Sequence, residues 1–338
     1  MSNDLLLTLD DLAHYHPGPD PSDAAHALLL QQAQTWELLR RGYESLPTVQ
    51  TRTFSFDGFR VLVQFNPGRL TSSSAKVDDR SIRERKCFLC AENLPREQRG
   101  IAHGTDFLIL CNPFPIFPEH FTVVHRRHTP QQILGSVEVL LALSRDLGKR
   151  YVLFYNGPRC GASAPDHMHF QAGTREVMPI DLEYAAVRAS RGRTLYDGSG
   201  LRVALIEGYL RPCFAIESSR MESVVRGFDS WYSAMEAAGT SPDEPMMNII
   251  ASYDGGWRLL LFPRRKHRPS FYFAEGEERI LISPAAVDLG GLCTTPLEHD
   301  FTKVTSDHLV RMFDEICVEK GALAQIALAV EKGLRGSP

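Results

Sequence analysis

Tyr155-Asn156-Gly157-Pro158-Arg159-Cys160-Gly161-Ala162-Ser163-Ala164-Pro165-Asp166-His167-Met168-His169-Phe170-Gln171 is the most informative stretch of the chain. Its last five residues alternate polar and apolar with the period of a β-strand. One face then carries His167, His169 and Gln171, while Met168 and Phe170 turn inward. Three polar groups in a row can simply face solvent, but two imidazoles and an amide are unusual choices for that. An imidazole can act as nucleophile, general base or metal ligand, and an amide can donate to an oxyanion. Just upstream, Gly157, Gly161 and Ser163 offer backbone N–H groups and a hydroxyl, the elements of a phosphate cradle.

Outward from this stretch the chain reads as a plan used twice. Phe107–Cys111 and Phe121–His125 read as strands, Val137–Lys149 has helical periodicity, and Tyr151–Tyr155 and His167–Gln171 read as two more strands. Leu201–Ile206, Cys213–Glu217, the amphipathic helix Ser219–Ala238, Met246–Tyr253 and Trp257–Phe262 repeat that order. Tyr253-Asp254-Gly255 answers Tyr155-Asn156-Gly157, so the duplication is one of pattern and not of sequence. Connections this short suit antiparallel sheets with a helix laid across each. Ahead of the plan, a Pro/Gly linker (His14 to Pro21) and a helical stretch (Ala24–Tyr43) form an appendage over 1–50. A hairpin follows, Phe54–Phe56 and Arg60–Phe65 around Asp57-Gly58. Asn66–Asp79 is a Ser-rich loop with Arg69 and Lys76, and Asp307–Cys317 and Ala322–Glu331 read as closing helices. The expectation is an α+β protein of two fused halves, 51–178 carrying the chemistry and 179–338 without its histidines.

Composition bounds the function. The 338 residues carry 37 Lys+Arg against 41 Asp+Glu, a net charge of −4, and 43% are hydrophobic. This is globular composition, not disordered, collagenous or coiled-coil, and its length suits about two domains. The mildly acidic total argues against a general nucleic-acid binder. The N-terminal Leu5-Leu6-Leu7 run is too short for a signal peptide and no run of about 20 apolar residues occurs, so no membrane span is expected. Seven sparse cysteines, an odd number, read as reduced thiols and place the protein in the cytoplasm. Cys111 reads as core, and Cys160 as potentially solvent-facing. Cys87-Phe88-Leu89-Cys90 reads as a redox pair, half a zinc site or coincidence; the surroundings are not thioredoxin-like, and tetrahedral zinc needs two further ligands.

Gly161-Ala162-Ser163-Ala164-Pro165 followed by His167-Met168-His169-Phe170-Gln171 resembles the signature of the histidine-triad superfamily. It is closest in kind to the transferase branch of galactose-1-phosphate uridylyltransferases, diadenosine tetraphosphate phosphorylases and GDP-hexose phosphorylases. Gln171 stands where the hydrolase branch carries a third His. Asp166 is one residue more than the pattern has between its Pro and first His. Asn112-Pro113-Phe114-Pro115, the strand after it and His125 to His128 are similar to the family's Asn-x-Phe-Pro segment, strand and following His. Ser283-Pro284-Ala285-Ala286-Val287 is similar to a Pro-Ala-Val stretch of the GDP-hexose phosphorylases. The two-half plan resembles the fused triad domains of this branch, with Trp257–Phe262 as the degenerate counterpart bearing Arg258 and Leu260. The likeness spans about Phe54 to Thr305.

The resemblance implies a nucleotidyltransferase or phosphorylase. His169 would attack the α-phosphorus of a nucleotide sugar or dinucleoside polyphosphate and hold the nucleotide covalently until phosphate or a sugar phosphate collects it. Gln171 and Ser163 would hydrogen-bond the phosphoryl oxygens. Asn112 and Phe114 would line the nucleoside pocket, and Asn156, Gly157 and Gly161 the phosphate loop. Arg69, Lys76 and Arg264, the last in the run Arg264-Arg265-Lys266-His267-Arg268, are candidate cations. The resemblance also implies a structural zinc on Cys87, Cys90, His128 and His167, with His125 or His120 able to replace His128. Partners would be small molecules, not nucleic acid or membrane, in a monomer or homodimer. The competing readings are a hydrolase of the same fold and a zinc-stabilised nucleotide-binding module without turnover.

Overall fold

The computed structural model describes residues 5–70, 77–239 and 244–336. In chain order the strands are β1 Gln50–Phe56, β2 Phe59–Phe65, β3 Gly100–His103, β4 Phe107–Cys111, β5 His120–His125, β6 Tyr151–Asn156 and β7 His169–Thr174. They continue with β8 Gly192–Gly198, β9 Leu201–Ile206, β10 Cys213–Ser218, β11 Met247–Tyr253, β12 Trp257–Pro263 and β13 Leu292–Thr295.

Ten of these form one antiparallel sheet in the order β3-β4-β5-β7-β6-β11-β12-β10-β9-β8. The first five strands and the last five are mirror sequences of one another. In each set a helix, Val137–Asp146 or Met221–Ala237, links the third strand to the fourth. The two sets meet where β6 pairs with β11, Asn156 opposite Asn248 and Phe154 opposite Ile250. The α+β architecture and the repeated strand plan read from the sequence are therefore present.

Both faces of the sheet are covered, which is why β4 and β6 are buried along their whole length. On one face Phe121, Tyr155, Phe170, Phe214 and Leu259 pack under Val137–Asp146, Met221–Ala237, Lys320–Gly336 and the N-terminal helix Pro21–Thr35. Leu28 of that helix is fully buried, so the N-terminal segment shares the common core. On the other face Val152, Phe154, Ile250 and Phe262 pack under β2 and the helices Pro179–Arg191 and Ser306–Ile316.

Several elements depart from the sequence reading. The helical stretch expected over Ala24–Tyr43 is two helices, Pro21–Thr35 and Glu37–Ser45, broken at Trp36, whose backbone is extended. The β1–β2 hairpin forms as expected, with Gly58 at φ 75° where only glycine is unstrained. It joins a separate sheet by pairing β2 in parallel with β13, Val63 opposite Cys293. The strand expected to begin at His167 begins at His169, and His167 lies in the bend before it. Lys76 falls outside the described residues. All seven cysteines are free thiols and buried; Cys160, read as potentially solvent-facing, is fully enclosed. Among the described residues no helix is long and apolar enough to cross a membrane.

Candidate active site

His169 opens β7 and is held on three sides. The Gln131 side chain accepts from the His169 backbone N–H at 2.8 Å and donates to its carbonyl at 2.9 Å, acting as a substitute strand. The same amide donates to the Asn156 carbonyl at 3.0 Å. The ring nitrogen Nδ1 lies 2.8 Å from the His167 carbonyl, a partner that can only accept, so Nδ1 carries the proton and Nε2 keeps its lone pair. The residue is 5% exposed, and burial pushes its pKa down to about 4. His169 is a neutral imidazole with one fixed tautomer.

The orientation of Gln171 follows from a second relay. The Ile116 N–H donates to His120 Nδ1 at 3.3 Å, which leaves the proton of His120 on Nε2. That N–H donates to Gln171 Oε1 at 2.9 Å, so the Gln171 NH₂ is turned away from His120 and free to donate. Burial and the nearby Arg69 charge lower the His120 pKa to about 3, keeping this relay neutral. His120 is thus a positioning residue and takes no part in the cysteine cluster.

His169, Gln171, Ser163, Arg69, Asn112 and Phe114 all line one cavity of about 640 Å³, whose remaining wall combines Trp36, Phe88, Leu94 and other apolar side chains with Ser81, Arg85, Gln98 and Thr122. Asn112 Oδ1 accepts from the Phe114 N–H at 2.9 Å, an Asx turn that presents the Phe114 ring. Arg69 donates to the Phe114 carbonyl at 2.8 Å; burial lowers its pKa to about 10, and it remains a cation at neutral pH. Gly161 sits at φ 97°, and a Cβ there would meet Ala285 Cβ at 2.6 Å.

Three expected substrate contacts have other roles. Asn156 accepts through Oδ1 from Asn248 and from the Ala286 N–H, both at 2.8 Å, and ties the loop to the second half. Gly157 is outside the phosphate cradle, because its N–H donates to the Met247 carbonyl at 3.1 Å. Arg264 is fully buried and donates to Asn248 Oδ1 and to the carbonyls of Pro284, Lys266 and His267. It is a structural hub, not a substrate cation.

Cys87, Cys90, His128 and His167 come together, their ligand atoms all within 4.8 Å of one another. Cys87 Sγ lies 3.3 Å from His167 Nδ1, and Cys90 Sγ lies 3.2 Å from His128 Nδ1 and 3.6 Å from His167 Nδ1. Tetrahedral bonds of about 2.3 Å to sulfur and about 2.0 Å to nitrogen put such atoms about 3.5 Å apart, so the cluster could hold a metal. The outer contacts fit as well: His167 Nε2 donates to the His125 carbonyl at 2.7 Å, and His128 Nε2 faces Asp166, itself paired with Arg85. His125 lies outside the cluster and its Nδ1 accepts from the Arg127 N–H at 3.1 Å. Gln131 and Asn248 escaped the sequence reading because nothing in a lone amide marks it. His120 was within reach, since strand alternation along β5 places it with Thr122, the cross-strand partner of Gln171.

Comparison with known proteins gives the same architecture. Residues 28–174, under half of the chain, match the family described as "Domain of unknown function (DUF4922)". The crystal structure of yeast Ap4A phosphorylase Apa2 superposes with a TM-score of 0.57 at 16% identity, covering 83% of this chain and 96% of that one. Its complex with AMP gives 0.56 at 16% identity over 86% and 96%. The fold is that of yeast Ap4A phosphorylase Apa2. In sequence, the diadenosine 5',5'''-P1,P4-tetraphosphate phosphorylase 2 of Saccharomyces cerevisiae is 27% identical over 141 residues, 38% of this chain. Protein APA1 of the same yeast is 32% identical over 80 residues, 21% of this chain. These matches span 41% and 25% of the two yeast proteins.

Two outcomes test this site. An ordinary histidine becomes a cation below about pH 6.5, whereas His169 should stay neutral until the pH falls towards about 4. NMR titration of the histidine ring protons, assigned with His169→Asn, reads this directly, and a midpoint near pH 6.5 refutes the buried neutral imidazole. Replacing Arg264 by Met should leave Asn248 Oδ1 and three carbonyls without their donor and lower unfolding free energy by at least about 3 kcal/mol. Denaturant unfolding measures it, and a loss under about 1 kcal/mol would restore Arg264 as a candidate for binding.

Proposed function

We propose that this chain is a nucleotidyltransferase of the phosphorylase kind, acting on a dinucleoside polyphosphate through a nucleotidyl-His169 intermediate. The observation that carries the reading is the Nδ1–H of His169 on the His167 carbonyl, which leaves Nε2 as a lone pair in a cavity shared with Gln171, Ser163 and Arg69. The substrate class is supported by the likeness to yeast proteins named as Ap4A phosphorylases. A nucleotide sugar is the other substrate with the same reacting group.

The apolar part of the cavity, with Phe114 and Asn112, receives the nucleoside. The α-phosphate then lies beside Ser163, Gln171 and Arg69, which draw its oxygens away from the incoming nitrogen. Nε2 forms the bond to phosphorus as the bond to the distal phosphate breaks, and the leaving oxygen takes that electron pair. No proton need move at His169, because Nδ1 keeps its proton on the His167 carbonyl throughout. The free Gln171 NH₂ and the Arg69 cation stabilise the charge that accumulates on the equatorial oxygens. A phosphate or sugar phosphate then takes the nucleotide.

Cys87, Cys90, His128 and His167 are proposed to hold zinc. The ion would be structural, tying the Cys87–Cys90 turn to the residue whose carbonyl orients His169.

Incubation with a dinucleoside tetraphosphate labelled at its α-phosphorus should leave acid-labile, alkali-stable label on the protein. His169→Ala should carry none while still binding nucleotide. Unlabelled wild-type protein with intact binding would refute the covalent route and favour a module without turnover. Elemental analysis should find about one zinc per chain, lost in Cys90→Ala together with several degrees of melting temperature. A metal-free protein whose melting temperature is indifferent to chelator refutes the zinc.

A further inference from the structure

Glu244 is a buried carboxyl to which the proposed chemistry gives no task. It stands in the second half just ahead of β11, is 3% exposed, and takes both its hydrogen bonds from the first half. The Ile133 N–H donates to Oε1 at 2.6 Å, and the Tyr155 hydroxyl donates to Oε2 at 2.6 Å. Gly157 lies against the same carboxyl, since a Cβ there would meet Oε2 at 3.5 Å and the Met247 carbonyl at 2.8 Å. Among the described residues no cation offsets the Glu244 charge. The titratable groups that face it are Tyr155 of β6, Tyr232 of the Met221–Ala237 helix and Cys160 of the loop before β7. Burial raises all three, Tyr232 and Cys160 to about 12, so each is neutral at neutral pH.

A buried carboxylate without a counter-ion is costly, so its partners must explain it. Each oxygen meets a different donor, and an amide in its place would turn an NH₂ group towards one of them. One of those donors, Ile133, is two residues from the Gln131 clamp. The clamp segment is anchored by its backbone: the Gln131 N–H donates to the Pro165 carbonyl at 3.2 Å, and the Ile133 carbonyl accepts from the Ser136 N–H at 2.8 Å. The Ile133 N–H on Glu244 completes the set. From this segment the Gln131 side chain reaches the N–H and carbonyl of His169 and the carbonyl of Asn156. Releasing Ile133 therefore loosens the clamp, and in-line attack is sensitive to small displacements of the attacking atom.

We infer that Glu244 is a positioning residue for His169, acting through the Ile133 N–H and the Gln131 amide. It touches neither substrate nor reacting atoms. The inference rests on the nucleotidyl-histidine reading and adds to it a control exerted from the second half. Only the ionised carboxyl accepts from both donors without a proton of its own to place. Burial raises its pKa to about 7, while the bonds from Tyr155 and Ile133 pull the other way. As the pH falls through that value Glu244 gains a proton, one donor loses its acceptor, and the clamp slackens. His169 stays neutral down to about 4, so this loss is distinct from its own titration.

The test is single-turnover labelling by a dinucleoside tetraphosphate carrying label at its α-phosphorus. The wild-type rate should fall about fivefold from about pH 8 to about pH 6, with a midpoint near 7. Glu244→Gln should lose this pH dependence and react at least about tenfold more slowly at about pH 8, with the half-saturating substrate concentration unchanged within about threefold. Tyr155→Phe removes a bond that lowers the Glu244 pKa and should move the midpoint upward. Hydrogen exchange at the His169 backbone amide, which Gln131 covers, should be at least about tenfold faster in Glu244→Gln. Thermal melts establish that the variants are folded. Glu244→Gln with the wild-type rate and pH profile overturns the inference, and so does unchanged exchange at His169. Should Glu244→Gln fail to fold, the Tyr155→Phe midpoint decides, and no upward shift overturns it. A wild type that takes no label refutes the nucleotidyl reading instead, and the exchange at His169 then decides the role of Glu244 by itself.

Discussion

One backbone carbonyl, that of His167, governs the site. It accepts from His169 Nδ1 and so decides which ring nitrogen of His169 is free. His167 is in turn immobilised by its own ring, whose Nδ1 faces Cys87 and Cys90 and whose Nε2 donates to the His125 carbonyl. Two histidines two residues apart therefore do different work. The first spends its ring on the cysteine cluster and lends its carbonyl, and the second offers its ring to the cavity. This division needs the backbone to bend before β7 begins, so that the two rings point to different places.

The ten-stranded sheet binds the two halves into one structure. Joining two five-stranded sets through β6 and β11 removes two open edges and places Asn248 against Asn156. Asn248 also donates to the Cys160 carbonyl at 2.7 Å and accepts from Arg264, which reaches the carbonyls of Pro284, Lys266 and His267. The loop that carries Gly161 and Ser163 is therefore braced from the second half. β12 carries no histidine, and Arg264 beyond its end braces the loop through a buried guanidinium that satisfies Asn248 and three carbonyls.

Much of this was legible beforehand, for physical reasons. Strand alternation placed His169 and Gln171 on one face, because a half-buried strand admits few other readings. The repeated order of strands and helix survived because each half must bury the same faces. The Cys87–Cys90 spacing marked a turn able to present two thiols. What escaped were relations that sequence distance conceals. β2 pairs with β13 more than two hundred residues later, and Gln131 serves as a substitute strand for His169 although its neighbours form no strand. Arg264 was read as a substrate cation because a charged run looks alike whether solvated or buried. Only packing reveals that its partners are carbonyls. His167 was assigned to the strand because alternation has no means of announcing where a bend ends.

The depressed basicity of His169 also shapes the chemistry proposed for it. An imidazole with a pKa near 4 has its lone pair available across the whole neutral range, so no base is required to prepare it. Low basicity makes the same nitrogen a weaker nucleophile, and equally a better leaving group once it bears the nucleotide. A carrier that must first take and then surrender a phosphoryl group gains from that balance, because a strongly basic nitrogen would form the intermediate readily and release it slowly. Burial is what sets the balance, and burial here comes from the apolar cavity walls and the Gln131 clamp and not from a charged neighbour. Arg69, one of two arginines lining the cavity, instead stands beside Gln171, where in the proposed reaction it would act on the phosphoryl oxygens and leave His169 neutral.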